Sequence, residues 1–261
     1  VTDKRMPADA RRPAALVTGV GRAKGIGAGV ARALAADGWD LALSHLPDYD
    51  HRLGLVGHDA GIAPVIAELE ALGATVVPLA GDLADPSAPA ALLAAAAETL
   101  GPVDALVMLH TESVDSSLLT TTVEAFDRHF AVNAKAVWLL VKAYAEQRIA
   151  AQLPGRILAF TSDHTAFNLP YGASKGALDR IVLAAARELG EQRITANVVN
   201  PGPIDTGWMD DDVRAAGTAQ QPTGRLGTPS DIGGVVAFLL SPAGAWINGQ
   251  LLYVDGGFST K

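Results

Sequence analysis

Seven short apolar runs, at residues 14–18, 39–43, 75–79, 103–109, 156–160, 195–199 and 251–254, alternate with longer stretches at 25–37, 62–72, 87–100, 123–151, 171–189 and 230–240. Each run is bounded by turn residues and apolar on both faces, so it reads as a strand covered on both sides. The longer stretches are rich in Ala and Leu, good helix formers. Strand–helix alternation implies right-handed crossovers and a parallel sheet with helices on both faces. The expected fold class is α/β, a doubly wound parallel seven-stranded sheet. Ligands of such sheets sit at the carboxyl ends of the strands, so chemistry should follow the strands directly.

No linker interrupts the 261 residues. Residues 1–12, polar and mixed in charge, read as a loose tail, and residues 13–261 as one domain. Asp and Glu total 28 against 20 for Lys and Arg, a formal charge of −8. That deficit of cations argues against nucleic acid or an anionic membrane as partner. A content of 49 % hydrophobic and 18 % charged residues excludes a disordered chain. Cys is absent, which removes disulfides, thiolate nucleophiles and thiolate metal sites. No apolar run is long enough to span a bilayer, and the N-terminal residues lack an apolar signal core. A cytoplasmic chain is the default expectation. The six His show no metal-ligand spacing, so no metal is expected.

Residues 18–27 read Thr-Gly-Val-Gly-Arg-Ala-Lys-Gly-Ile-Gly and join the first strand to the first helix. Glycine lets a backbone turn tightly and approach a pyrophosphate, and a helix N-terminus offers that anion free N–H groups. The strand–loop–helix context gives the pattern its weight and points to a Rossmann fold. Gly19, Gly21, Gly25, Ile26 and Gly27 form the candidate cradle. An NAD site would place a carboxylate at the end of the second strand for the ribose 2′-OH. Here residues 44–47 are Ser, His, Leu and Pro, and the first acid is Asp48. Arg22 and Lys24 are loop cations that could meet a 2′-phosphate. The cofactor reading is therefore NADP(H) in preference to NAD(H). Asp82, followed by Leu83 after the third strand, could accept from an adenine amino group or cap the next helix, although Asp85 suits the cap better. The long segment 44–61, rich in His and Asp, is either a functional loop or a surface excursion.

Tyr171 and Lys175 stand four residues apart near the start of a helical stretch, hence on one face. An ammonium beside a phenol favours the phenolate and lowers its pKa. A Tyr so tuned exchanges a proton near neutral pH. Carbonyl reduction needs such a proton while hydride arrives from a nicotinamide. Ser162, at the end of the fifth strand, is placed to hold the substrate oxygen. His129, inside a helical stretch, reads as structural.

These motifs, in this order, resemble the short-chain dehydrogenase/reductase family, and bacterial 3-oxoacyl-[acyl-carrier-protein] reductase-like members in particular. The resemblance runs from Ala14 to Phe258. It is carried by the glycine loop, Asp82-Leu83, Asn133 in Ala-Val-Asn-Ala, Ser162, the Tyr171/Lys175 pair, residues 200–206 (Asn-Pro-Gly-Pro-Ile-Asp-Thr) and the terminal Val254-Asp255-Gly256-Gly257. It implies Tyr171 as general acid/base, Lys175 as its tuner and ribose ligand, Ser162 as carbonyl-orienting group, and Asn133 in a water relay past Lys175. Pro201, Gly202, Ile204 and Thr206 would line the cofactor on its nicotinamide side. Lys24 holds a position whose basic residue often marks NADP preference. Residues 205–225 fall where the family keeps a substrate lid, to which Trp208 and Met209 would give an apolar contact; an exposed amphipathic turn is the other reading.

Three departures stand out. The stretch from Gly19 to Gly25 is longer than usual, as in a neighbouring enoyl-reductase branch, whose Tyr and Lys are however spaced more widely. Met108-Leu109-His110-Thr111 replaces the usual Asn-Asn-Ala-Gly; His110 either supplies a polar contact or, the favoured reading, points outward. Ser162 precedes Tyr171 by only nine residues, so Thr161, His164 or Thr165 are alternative carbonyl-orienting groups. The expected activity is NADPH-dependent reduction of a small-molecule carbonyl to an alcohol, reversible, with a 3-oxoacyl thioester as first substrate class. The alternative is an NADP(H)-binding redox sensor with little or no turnover. The resemblance also suggests a homo-oligomer, a tetramer or dimer.

Overall fold

The structure, a computed structural model, describes residues 11–52, 61–207 and 209–260. Most of the proposed tail, part of the 44–61 segment and Trp208 lie outside them. The strands are β1 (Ala14–Thr18), β2 (Asp40–His45), β3 (Val76–Ala80), β4 (Ala105–Met108), β5 (Gly155–Phe160), β6 (Ile194–Asn200) and β7 (Leu251–Tyr253). All pair in parallel in one sheet ordered 3-2-1-4-5-6-7. The chain leaves β1 for β2 on one side and returns to β4 on the other, so β1 and β4 flank the reversal point. Parallel doubly wound sheets bind ligands at that point.

β1 is buried at every position, as a central parallel strand must be. The edges differ from expectation. β3 and β7 are only partly covered, and Pro78 sits in β3, where a missing N–H costs no ladder bond on the open side.

The helices are α1 (Ile26–Ala36), α2 (Asp48–Arg52), α3 (Ala63–Ala71), α4 (Ala88–Leu100), α5 (Val123–Phe130), α6 (Ala136–Ala150), α7 (Leu169–Glu188), α8 (Asp211–Gln220) and α9 (Pro229–Leu240). One core lies between the sheet and α4, α6 and α7, with Leu93, Leu140 and Val182 fully buried. The other lies under α1, α3 and α9, with Leu34, Leu69 and Val236 fully buried. α1 and α9 touch backbone to backbone: a Cβ on Gly233 would sit 2.7 Å from the carbonyl oxygen of Gly29. This contact fixes α1, and with it the loop that precedes it.

The helical stretch read over 123–151, long for one helix, is two helices. A π-helical turn, Ala131–Lys135, separates α5 from α6 and carries Asn133. Such turns widen a helix locally and often mark functional positions. None of the described helices is long and apolar enough to cross a membrane.

Candidate active site

A cleft of about 540 Å³ opens over the carboxyl ends of the central strands. Gly19, Gly21, Arg22, Gly25, Ile26 and Gly27 line one end. Gly19 has φ +77°, and a Cβ there would lie 2.6 Å from the His110 nitrogen. A Cβ on Gly27 would lie 2.9 Å from the Gly19 carbonyl oxygen. The loop therefore closes onto both β4 and α1 only because these positions are glycine. At the start of α1, Gly25 caps without a side chain and the first turn has no acid. Its N–H groups thus face the cleft uncapped by carboxylate. This bare cradle at a helix N-terminus fits a pyrophosphate.

Lys24 does not line this cleft. Its side chain leaves the loop on the other side and packs on Gly207, whose Cβ would lie 2.9 Å from Lys24 Cδ. The expectation that Lys24 and Arg22 act together is corrected accordingly: Arg22 faces the cleft, and Lys24 faces the segment before α8. Asp82 and Leu83 line the cleft beyond β3. The Asp82 carboxylate accepts from Ala84 N at 2.9 Å and from Arg128 Nη2 at 3.2 Å. Asp85 accepts from Ser87 N and Oγ just before α4, but neither Asp82 nor Asp85 caps the helix, whose N-cap is Ser87.

Tyr171, Lys175 and Ser162 meet at the other end of the cleft. The short segment after Ser162 still brings that hydroxyl into the cleft beside Tyr171, and Ser162 Oγ accepts from His164 N at 3.2 Å. Thr161 and His164 also line the cleft; Thr165 does not. Lys175 is buried and donates from Nζ to the Phe160 carbonyl oxygen at 2.8 Å. Burial pushes its ammonium down to about 8, against an opposing pull from the Asp179 carboxylate. Nζ lies 5.7 Å from the centre of the Tyr171 ring. The expectation that Lys175 depresses the phenol is not met in this arrangement. Burial raises the Tyr171 pKa, the neighbouring Ser162 hydroxyl acts downward, and Asp163 acts upward.

Asn133 is fully buried and does not line the cleft. Its Nδ2 donates to the Glu112 carbonyl and to Ser174 Oγ, each at 2.9 Å, and its Oδ1 accepts from Glu112 N at 2.7 Å. Both amide hydrogens of this side chain are thus committed, and Asn133 ties the segment after β4 to the residue preceding Lys175.

His110 points inward, opposite to the favoured expectation. Nδ1 lies 2.7 Å from Thr18 Oγ1 and Nε2 lies 3.1 Å from the Val132 carbonyl oxygen. A carbonyl only accepts, so Nε2 carries the proton and Thr18 donates to Nδ1. Thr18 Oγ1 in turn accepts from Leu109 N at 3.2 Å. Burial first, and the Lys175 charge second, push His110 down to about 3. A neutral imidazole thus braces β1, β4 and the π-helical turn where Asn-Asn-Ala-Gly would stand.

Sequence reasoning missed Glu112. Its carboxylate is buried beside Arg52 and Arg128; burial raises its pKa, and the two guanidiniums outweigh that and lower it. Nothing in the local sequence signals this, because both partners are distant along the chain.

Pro201, Gly202, Ile204 and Thr206 line the far wall with Met209. Gly202 has φ +60° and a Cβ there would strike Asp255 at 2.5 Å. Beyond Met209 come three consecutive acids, Asp210 to Asp212, two of which have a structural use. Asp210 Oδ1 accepts from Val213 N at 2.8 Å and caps α8. Asp205 and Asp211 hold Arg214 at 3.1 and 2.7 Å. His129 is structural as expected, donating to the Ala125 carbonyl at 2.6 Å and accepting from Val114 N at 3.1 Å.

A nucleotide-type cradle and a Tyr–Ser–Lys cluster in one cleft of a doubly wound sheet define a dinucleotide-linked oxidoreductase. The chain belongs to the short-chain dehydrogenase/reductase family. A family model described as enoyl-(acyl carrier protein) reductase matches residues 19–259. An L-rhamnose 1-dehydrogenase (NAD(P)(+)) of Sphingomonas sp. is 33 % identical over 249 residues, covering 92 % of each chain. The structure of a 3-oxoacyl-[acyl-carrier protein] reductase from Brucella melitensis is 31 % identical, with a TM-score of 0.83, over 97 % of this chain and 99 % of that one. A blue fluorescent protein from a metagenomic library, solved in complex with NADPH, is 33 % identical, with a TM-score of 0.81, over 95 % of this chain and 98 % of that one.

Proposed function

We propose that this protein reduces a small-molecule carbonyl to an alcohol with NADPH, and runs the reverse oxidation when alcohol is in excess. The observation that carries the reading is the convergence of Ser162, Tyr171 and Lys175 at one end of a cleft whose other end is the glycine cradle. A bound nicotinamide dinucleotide would supply the hydride. The chain supplies the rest. Ser162 and Tyr171 hydroxyls orient the carbonyl oxygen, and Tyr171 Oη delivers the proton that the nascent alkoxide needs. Lys175 Nζ, released from the Phe160 carbonyl, would hold a ribose hydroxyl and lend positive charge to the phenol as it loses its proton. Asn133 acts through position: it fixes the segment after β4 against α7, rather than presenting its own amide to a water relay. Arg22, at the cradle end, favours a 2′-phosphate.

A 3-oxoacyl thioester remains the first substrate class, supported by the likeness to the Brucella reductase. The sugar dehydrogenase among the relatives makes a ketose or aldose the next. The four-residue spacing of Tyr171 and Lys175 favours a carbonyl over an enoyl double bond. NADPH consumption with 3-oxoacyl thioesters, enoyl thioesters, sugars and diketones tests this reading. Turnover of at least one carbonyl supports it; turnover confined to enoyl thioesters overturns it.

A further inference from the structure

The long segment after β2 and the altered segment after β4 are joined by one ion pair. Arg52, the last residue of α2, donates from Nη1 and Nη2 to the two carboxylate oxygens of Glu112, at 2.8 and 2.7 Å. Such bidentate charge-assisted pairs are strong and geometrically specific. Glu112 is held from three further directions. Arg128 Nε donates to its carboxylate at 3.0 Å, and Asn133 clasps its backbone N–H and C=O. The Arg52 guanidinium also lies 5.3 Å from the centre of the Tyr49 ring.

The sheet order gives this pair a consequence. β1 lies between β2 and β4. A contact from the segment after β2 to the segment after β4 has to cross the carboxyl end of β1, a span of about two strand spacings, roughly 10 Å. That end of β1 is where the glycine loop opens, and Tyr49 and Glu112 both line the same cleft. The pair therefore spans the end of β1, with Glu112 on the lining of the groove in which a dinucleotide would run and Arg52 just outside that lining. Arg128 extends the chain of charges to Asp82, beyond β3.

We infer that Arg52 and Glu112 are cofactor-retaining residues, a strap that fastens α2 over the bound dinucleotide and opens for its entry and exit. The inference rests on the dinucleotide reading of the cleft. Arg52 is neutralised by Glu112, so the strap retains phosphorylated and unphosphorylated dinucleotides alike, whereas Arg22 distinguishes them.

Stopped-flow nicotinamide fluorescence on the full chain tests it, with NADPH and NADH, in wild type, Arg52→Lys, Arg52→Ala and Glu112→Gln. The strap predicts that Arg52→Ala and Glu112→Gln speed dissociation of both cofactors about tenfold or more, with association no slower and Arg52→Lys in between. Arg52→Ala leaves the Glu112–Arg128 pair in place and carries the test should Glu112→Gln fail to fold. Unchanged dissociation rates overturn the strap. So does an effect confined to NADPH, which would make Arg52 a reader of the 2′-phosphate. A wild type that binds neither cofactor overturns the dinucleotide reading, and the strap with it.

Discussion

The carbonyl oxygen of His164 occupies the space that a Cβ on Gly172 would need. The segment after Ser162 is short, and it reaches α7 only by lying against the helix's first turn, directly beside Tyr171. Gly172 is thus the residue that lets a shortened serine segment keep Ser162 on the phenol. Gly172→Ala should push that segment away, at a cost of about 1–3 kcal/mol from overpacking. Turnover should fall while dinucleotide affinity holds. Thermal melting and NADPH titration together check this; an alanine variant with wild-type melting and turnover contradicts it.

His110 stands between two groups that need it. His110→Ala strands the Val132 carbonyl and the Thr18 hydroxyl and should lower stability by about 1–3 kcal/mol, read by urea unfolding. The pH dependence separates this from simple packing loss. The folded-state pKa is pushed down to about 3 from 6.5. Between those values the unfolded chain binds more protons, so this group's contribution to stability falls as pH drops from 6.5 toward 3. His110→Gln, which keeps a donor for Val132, should show a flatter stability profile between pH 6.5 and 4. Parallel profiles would show that His110 is not held neutral.

Lys175 titrates near pH 8 because burial disfavours its charge and Asp179 only partly offsets that. Activity that depends on the ammonium should decline as pH rises through about 8. Asp179→Asn removes the supporting carboxylate and should move this decline to lower pH. A profile of kcat against pH measures it, and an unmoved limb rules Asp179 out as the support.

Arg22 and Lys24 should separate. Arg22→Ala should weaken NADPH roughly tenfold or more, the loss of one hydrogen bond to a charged group, and leave NADH nearly unchanged. Lys24→Ala, whose side chain packs on Gly207, should leave the NADPH-to-NADH ratio as it is. Fluorescence titration with both cofactors decides, and a ratio that collapses only in Lys24→Ala reverses the assignment.

Much of this was legible in the chain. Strands buried on both faces write their positions as apolar runs, and β1 and β5 fall within a residue of the runs read for them. The glycine loop and the Tyr171/Lys175 pair announce themselves because their chemistry is local. What the sequence hid depends on distant partners. The π-helical turn at Ala131–Lys135 interrupts no apolar periodicity, so 123–151 reads as a helical stretch too long for one helix, with no sign of where it divides. His110 looks like an exposed residue until Thr18 and Val132, 92 and 22 positions away, are brought to it. α2 is five residues long and polar, too short for a pattern. The capping role of Asp210 emerges only once α8 exists. Loop spacing says nothing of the side on which Lys24 leaves the glycine loop.

The central claim is that the Tyr171 hydroxyl delivers the proton. The most direct measurement is NADPH consumption with the best carbonyl substrate, in wild type and Tyr171→Phe side by side, with NADPH affinity measured on both. The account predicts turnover lowered by about 10²–10⁴-fold in Tyr171→Phe, the usual worth of general acid–base catalysis, at unchanged affinity. Wild-type turnover in Tyr171→Phe would contradict it.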